Sequence, residues 1–349
     1  MRWFQPVKSR SFSLAIASIA LAMFAGGSCL AQEAISPAFT SFDAPGAGTG
    51  SAQGTFPVAI TREGFIGLTV FDNNTVAHAY VRTPKGYYSA VAPPNSIDTY
   101  LAGLNSSGQI VGAFIDSKYQ THGYFRNSDG TFIQLDVPGA TVFTNVAGIN
   151  AVGQIAGTYF AAGGSQQSYF WDVKNPSQYV TYTVSGSTAT VATGINTSGE
   201  ITGLYFDSAG AHAFIRTPDG TISTFDFGGG NTVNGPLLIN TRGQITGGAF
   251  NQGFNGGFLR TPNGQFTFWA VTLHVGPQPQ GINESGVIVG YFYSDAGSNS
   301  AFVRDAAGNI TNITVPFSNT ATQATGINGA GHIIGNYTDA NGASHGWVD

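Results

Sequence analysis

One short pattern is written seven times along this 349-residue chain, and it limits what the chain can fold into more than any other feature. Its clearest form is GINAVGQIAG at 148–157. Anchored on its aliphatic residue, the pattern falls at Ile60, Leu104, Ile149, Ile195, Ile239, Ile282 and Ile327, with spacings of 44, 45, 46, 44, 43 and 45. Four residues after each anchor stands a glycine (Gly64, Gly108, Gly153, Gly199, Gly243, Gly286, Gly331), and six after stands an isoleucine. The segments 188–196 and 320–328 differ at one position in nine. A unit this short cannot bury both of its faces alone, so successive copies must pack on one another.

Alternation and turn chemistry divide each copy into four short strands, A to D. In the fourth copy these are TATVATGI, EITGLYF, HAFIR and TISTFDF. Asn196-Thr197-Ser198-Gly199 joins A to B and Thr217-Pro218-Asp219-Gly220 joins C to D. Asparagine opens such a turn by bonding to the backbone two residues on, proline fixes φ, and glycine supplies the positive φ that closes it. The four strands are therefore expected to run as an antiparallel meander. Four strands in about 45 residues is the period of a β-propeller blade, and helical solenoids or β-helices do not match it. The last copy stops at Asp349 without a strand D, while FTSFDAPGA at 39–47 aligns with FIQLDVPGA at 132–140, the strand D of the second copy. The fold expected is all-β: a seven-bladed β-propeller of four-stranded antiparallel blades, closed by the N-terminal strand completing the last blade. Closure also removes the exposed edges of a linear array.

Residues 1–31 carry Arg2, Lys8 and Arg10, an apolar run from Phe12 to Ala25, and small residues up to Ala31. This is the pattern of a secretory signal peptide cleaved after Ala31. The run is about 14 residues, short of the roughly 20 that span a bilayer. Residues 32–349 then form one propeller domain, secreted to the periplasm or the exterior, with no membrane span. The only cysteine, Cys29, lies in the leader, which leaves the mature chain without a thiol for disulfides or metal. A lipoprotein reading would acylate Cys29, but Gly26-Gly27-Ser28 lacks the aliphatic residue such signals carry. After cleavage ten basic residues face 18 acidic ones, a net charge of −8, so no phosphate-binding surface and no nucleic-acid partner is expected.

Strand C opens with His78-Ala79-Tyr80, His122-Gly123-Tyr124, His212-Ala213-Phe214 and His345-Gly346-Trp347, and in degenerate form with Gly256-Gly257-Phe258 and Ser300-Ala301-Phe302. Together with the GIN..G.I.G hairpin, these tripeptides resemble the bacterial extracellular HAF-repeat proteins, named for His-Ala-Phe. The resemblance covers nearly all of the mature chain and implies a secreted repeat protein. It supplies no catalytic residues.

Each of these histidines follows an aspartate by five or six residues: Asp72 and His78, Asp116 and His122, Asp207 and His212, Asp339 and His345. The third copy has Gln167 and no such aspartate, and only Asp295 stands without a partner. This co-occurrence points to a carboxylate–imidazole bond pinning the B–C loop to strand C, rather than to a metal ring. The B–C loops mix Asp, Asn and Gly but lack the ordered spacing and terminal glutamate of a calcium loop, so no metal and no cofactor is expected. No G-x-S-x-G elbow, P-loop or H-E-x-x-H motif is present. Glu63 and Asp98 depart from the repeat, and a solvated role is the default for each. The D–A loops vary most between copies, and variable loops on a rigid scaffold are where binding resides. Asp98, Tyr100, Phe143 and His274 are the candidate binding residues on that face. The function expected is a secreted, non-catalytic, monomeric binding or scaffold module for an extracellular glycan or protein. The alternative is a carbohydrate-active enzyme, a glycoside hydrolase or lyase, built on the same ring.

Overall fold

A computed structural model of the chain describes residues 7–8, 38–226, 232–251, 254–270, 275–293, 299–318 and 321–349. The leader expected at 1–31, but for residues 7–8, falls outside these, as do Cys29, His274 and Asp295. Among the described residues there are strands and no helix.

Each repeat forms the expected meander. In the fourth, Ala189–Ile195, Ile201–Asp207, Gly210–Arg216 and Ile222–Phe225 pair antiparallel in sequence order. The turn glycines four residues after the anchors hold φ between 72° and 96°, the left-handed region that a side chain disfavours. Strand A carries a bulge just before its anchor, as between Ala192 and Gly194 or Ala324 and Gly326. The strands group into five four-stranded sheets and one of nine. The larger sheet holds the meanders of repeats 1 and 7, joined where the Ser344 amide donates to the Gln53 carbonyl at 2.8 Å.

The start of the chain lies against its end. Thr40–Phe42 pairs antiparallel with Ser344–Val348, placing Thr40 opposite Val348 and Phe42 opposite Gly346. Gly346 is required there, because a Cβ would stand 2.5 Å from the Phe42 ring. The HAF tripeptide acquires a physical reading from this register. Except in repeat 1, where Tyr80 faces Leu68, its aromatic residue crosses a glycine of strand B, as Trp347 crosses Gly335, where a Cβ would strike the Gln323 carbonyl and the indole.

The apolar residues gather at the seams between consecutive repeats. Val111, Phe125 and Leu135 of repeat 2 pack on Ile155, Tyr169 and Trp171 of repeat 3. Phe42 and Ile334, beside each other in the last meander, pack on Ile66, Leu68 and Tyr88 of the first. Burying one such aromatic or aliphatic side chain contributes about 1.5–3 kcal/mol, so the seams supply the cohesion a lone meander lacks.

Hydrogen bonds cross the same seams in one direction. The residue after each anchor is asparagine in six repeats, and each is 3–6% exposed. Its side-chain amide donates to the turn carbonyl of the next repeat: Asn105 to Asn150 at 3.0 Å, Asn150 to Asn196 at 2.9 Å, Asn196 to Asn240 at 3.1 Å and Asn240 to Asn283 at 3.0 Å. The run continues from Asn283 to Asn328 and from Asn328 to the Thr61 carbonyl at 2.9 Å. Oδ1 meanwhile accepts amides of its own turn, as Asn150 does from Val152 and Gln154. Replacing one such asparagine strands a buried carbonyl and two amides. Asn240→Ala is expected to cost about 1–3 kcal/mol, read as a lower urea midpoint at unchanged m-value.

Candidate functional site

In an antiparallel meander the A–B and C–D turns emerge on one face, and the B–C and D–A loops on the other. The loop-rich face carries the histidines. His78 Nε2 lies 3.2 Å from Asp72 Oδ2, and His212 Nε2 lies 3.1 Å from Asp207 Oδ1. His122 and His345 stand 3.5 Å from Asp116 and Asp339. The expected pairing is present, but its strongest bonds are within the loop. Asp72 Oδ1 accepts the Asn74 and Val76 amides at 2.8 and 3.0 Å, and Asp116 and Asp339 repeat this arrangement. Backbone amides foremost, and the histidines less so, hold Asp72, Asp116 and Asp207 below the ordinary carboxylate range.

Three histidines have a second carboxylate that the sequence reading did not assign. His122 Nδ1 lies 3.0 Å from Asp136, His212 Nδ1 2.8 Å from Asp226, and His345 Nδ1 2.9 Å from Asp43. Each of these aspartates ends strand D of the same meander. The imidazole also lies against the aromatic residue opposite it on strand B: Phe114 at 5.1 Å, Tyr205 at 4.9 Å and Tyr337 at 5.0 Å. The signal was present in the chain, since the aspartate after strand D occurs in the repeats that carry these three histidines. His78 has Ala92 at that position and keeps one partner.

The remaining candidates are not brought together. Asp98 Oδ1 accepts the Ala77 amide at 2.7 Å across the seam between repeats 1 and 2. Tyr100, on the same strand, presents its ring edge to Phe71 at 6.2 Å. Phe143 meets Phe160 edge to face at 4.7 Å in the loop before the third meander. Glu63 is exposed in its turn on the opposite face. All eight described carboxylates of the loop-rich face accept a hydrogen bond from a backbone amide or a side chain. This face also leaves apolar side chains in solvent, beside exposed polar loop residues such as Asn73 and Lys118. Of nine exposed large hydrophobic residues among the described ones, Ile97, Tyr119, Val142, Phe206, Phe250 and Tyr293 lie at its strand ends and loops. Tyr119 is 81% exposed.

On the opposite face the A–B turns of all seven repeats surround one cavity of about 610 Å³. The aliphatic anchors Ile60, Ile149, Ile195, Ile239, Ile282 and Ile327 line both this cavity and a second of about 270 Å³ behind it. Arg62 and Glu284 are the charged residues of its wall. No group of three or more histidine, cysteine, aspartate or glutamate side chains suited to a metal occurs among the described residues.

The paired histidines set a pH dependence. Burial opposes protonation of His212, yet the bonds to Asp226 and then Asp207 outweigh it and raise its pKa above the ordinary 6.5. The bond to Asp43 foremost raises that of His345. A raised histidine stabilises the fold fully below pH 6.5, and that contribution is lost as pH rises through the folded-state value. Asp207 and Asp339 act in the opposite window, stabilising above pH 3.8 and losing the contribution as pH falls through their lowered values. The melting temperature is therefore expected to fall by about 1–3 °C between pH 6 and pH 8, and the double variant His212→Gln/His345→Gln should lack that slope in thermal melts at fixed ionic strength.

No family model matches the sequence, and no curated protein does. Solved structures do. A streptogramin B lyase matches at TM-score 0.57 and 13% identity over 89% of this chain and 97% of its own. Virginiamycin B lyase from Staphylococcus aureus matches at 0.56 and 12%, over 89% and 99%. A puromycin hydrolase matches at 0.57 and 12%, over 81% of this chain and 50% of its own. At such identities the likeness concerns architecture alone: this chain is an all-β, propeller-like fold of four-stranded antiparallel sheets.

Proposed function

We propose that the chain is a secreted, closed seven-bladed propeller of the HAF-repeat type that binds an extracellular glycan on its loop-rich face without transforming it. Closure is supported by the bonds that run from repeat 7 to repeat 1, Asn328 to Thr61 at 2.9 Å and Thr325 to Pro57 at 2.8 Å, and by the apolar cluster they flank. Secretion is supported by the leader pattern of residues 1–31.

The observation that carries the binding role is the apolar rim. Tyr119, Phe206, Phe250 and Tyr293 stand exposed on a rigid sheet scaffold, in a chain with only 9% charged residues. Exposed aromatic side chains gathered on one face mark an interaction surface, and rings with polar neighbours suit a ligand that has apolar faces and hydroxyl edges. A neutral sugar fits this chemistry better than a charged partner. The enzymatic alternative draws only on the lyase and hydrolase names of the structural neighbours, which is analogy from fold. Glycoside chemistry needs two carboxyl groups about 5–9.5 Å apart with protons to exchange, whereas the eight carboxylates here are tied into loops and imidazoles.

A glycan array probed with the full chain and with Tyr119→Ala/Phe206→Ala/Phe250→Ala tests the reading. Binding by the parent and a loss of at least about tenfold in the triple variant, at a melting temperature within about 2 °C, is expected. Equal binding by the two proteins would remove the rim from the site. Release of reducing sugar from a bound glycan would favour the enzyme instead.

A further inference from the structure

Tyr119 is held in a backbone conformation that its side chain disfavours, and packing does not offset the cost. It ends the B–C turn of repeat 2 at φ 62°, its amide donating to the Asp116 carbonyl at 2.9 Å. The same place in the turn belongs to Gly164 at φ 83° in repeat 3 and to Gly342 at φ 84° in repeat 7, where the missing Cβ removes the strain. Thr75 holds it at φ 63° in repeat 1. A bulky residue in the left-handed region is an outlier that the surrounding structure normally has to compensate, and for an aromatic side chain burial is the usual compensation. Here the ring is 81% exposed.

The next residue, Gln120, belongs to the wall of a small cavity of about 160 Å³ on the loop-rich face, where repeat 2 passes into repeat 3. Val142 and Phe143 give this cavity an apolar side, and His122, Asp136 and Thr141 a polar one. The loop that carries the apolar side is fixed in place. Phe143 bridges to Thr121, its carbonyl accepts the Phe160 amide at 3.2 Å, and its ring meets the Phe160 ring at 4.7 Å. Val142, held beside it, is nonetheless 60% exposed. The charged side chains of the wall are His122 and Asp136, 3.0 Å apart. His122 and the Gln134 amide both donate to Asp136, which is still 44% exposed, so its carboxylate keeps lone pairs for further donors.

We propose that Tyr119 and this cavity form a subsite for one neutral hexopyranose unit, a refinement that rests on the glycan-binding reading of the loop-rich face. The sugar lays its C–H face on the Tyr119 ring and Val142, while its hydroxyl groups donate to Asp136 and exchange hydrogen bonds with the Gln120 amide and the Thr141 hydroxyl. The volume is below the roughly 300 Å³ at which pockets for drug-sized molecules begin, so the subsite takes a single ring and leaves the rest of the glycan to the exposed rim. The carboxylate sets the charge class. An anionic sugar would bring like charge against Asp136 and lose affinity. The strain at Tyr119 then has a use: it holds an aromatic platform out from a rigid loop, at the expense of stability that glycine would restore.

The test uses the methyl glycosides of glucose, galactose and mannose with the full chain, followed by ligand-observed NMR and thermal melts. A dissociation constant of roughly 0.3–10 mM is expected for at least one of them, as suits a ligand of this size. The methyl glycoside of the corresponding uronic acid should bind at least about fivefold more weakly. Tyr119→Gly should raise the melting temperature of the free protein by about 1–3 °C and weaken the hexoside at least about fivefold. Tyr119→Trp should melt with the parent and bind within about twofold of it, and Gln120→Ala should weaken binding at least about threefold at an unchanged melting temperature. Both side chains lie in solvent, so the melts confirm folding in each variant. Absence of binding by the parent at 50 mM of all three hexosides would overturn the subsite, and so would equal binding by Tyr119→Gly, a lowered melting temperature for that variant, or equal binding of the uronide. A glycan array separates the two readings: glycans held by Tyr119→Gly but lost in the triple rim variant remove the subsite alone, whereas no glycan held by the parent removes the glycan reading itself.

Discussion

A buried asparagine that serves two turns at once is the interaction on which this structure rests. Its Oδ1 accepts two amides of its own hairpin and so fixes the turn. Its amide nitrogen donates to the turn carbonyl one repeat ahead, and in repeats 2 to 5 also to the side chain four residues on, as Asn150 does to Gln154 at 2.8 Å. All the hydrogen-bonding capacity of the side chain is therefore used in a place water does not reach. Each turn can hold its form only if its neighbour does, which converts seven local hairpins into one cooperative object. In repeat arrays stability is the sum of unit terms and neighbour terms, and here the units are too thin to contribute much alone. The relay also has a direction. It runs from repeat 2 to repeat 7 and then to Thr61, across 267 positions of sequence.

How much of this was legible in the chain follows from the range of each interaction. Strands and turns are local, so alternation, the turn glycines and the asparagines foretold them to within a residue or two. The pairing of Thr40–Phe42 with the last strand C was legible because a missing strand at one end matched a surplus at the other. The seam bond of the asparagine was not. Its local use as a turn former accounts for the residue completely, and nothing in the sequence asks for a second role. Asp43, Asp136 and Asp226 lay within reach of the same co-occurrence argument that found Asp72 and Asp116, but the contacts of Asp136 and Asp226 span a strand and a turn rather than one loop, and that of Asp43 spans 302 positions. Asp98, Tyr100 and Phe143 stood out because they break the repeat. Two of these irregularities, Asp98 and Tyr100, prove to be contacts with the neighbouring repeat, an amide bond and an aromatic pair.

The two faces divide their labour by chemistry. On the loop-rich face, carboxylates and imidazoles are spent on one another and on loop amides. Pairing a charge with a fixed dipole holds a loop without a core, which a protein this poor in lysine and arginine could not do with ordinary ion pairs. The cost is that few titratable groups remain for proton transfer, and the gain is a rigid platform from which aromatic tips project. On the other face, near-identical turns surround a cavity walled by aliphatic anchors, and identity of sequence there reflects the demands of the relay.

Departures from that identity are informative for the same reason. Repeat 1 has Thr61 in place of asparagine, Phe65 where four repeats have Gln or Glu, and Val91 where four have an aromatic residue. Drift in a seven-fold array would scatter such changes over different seams, since each copy accumulates them independently. These three instead line one cavity. Thr61 removes a link that the other six seams keep, and a chain under selection for stability alone has asparagine available six times over as a template. Local rules are broken together where something other than stability is being specified. The seam that gives up the asparagine bond is therefore the place where this array differs from itself.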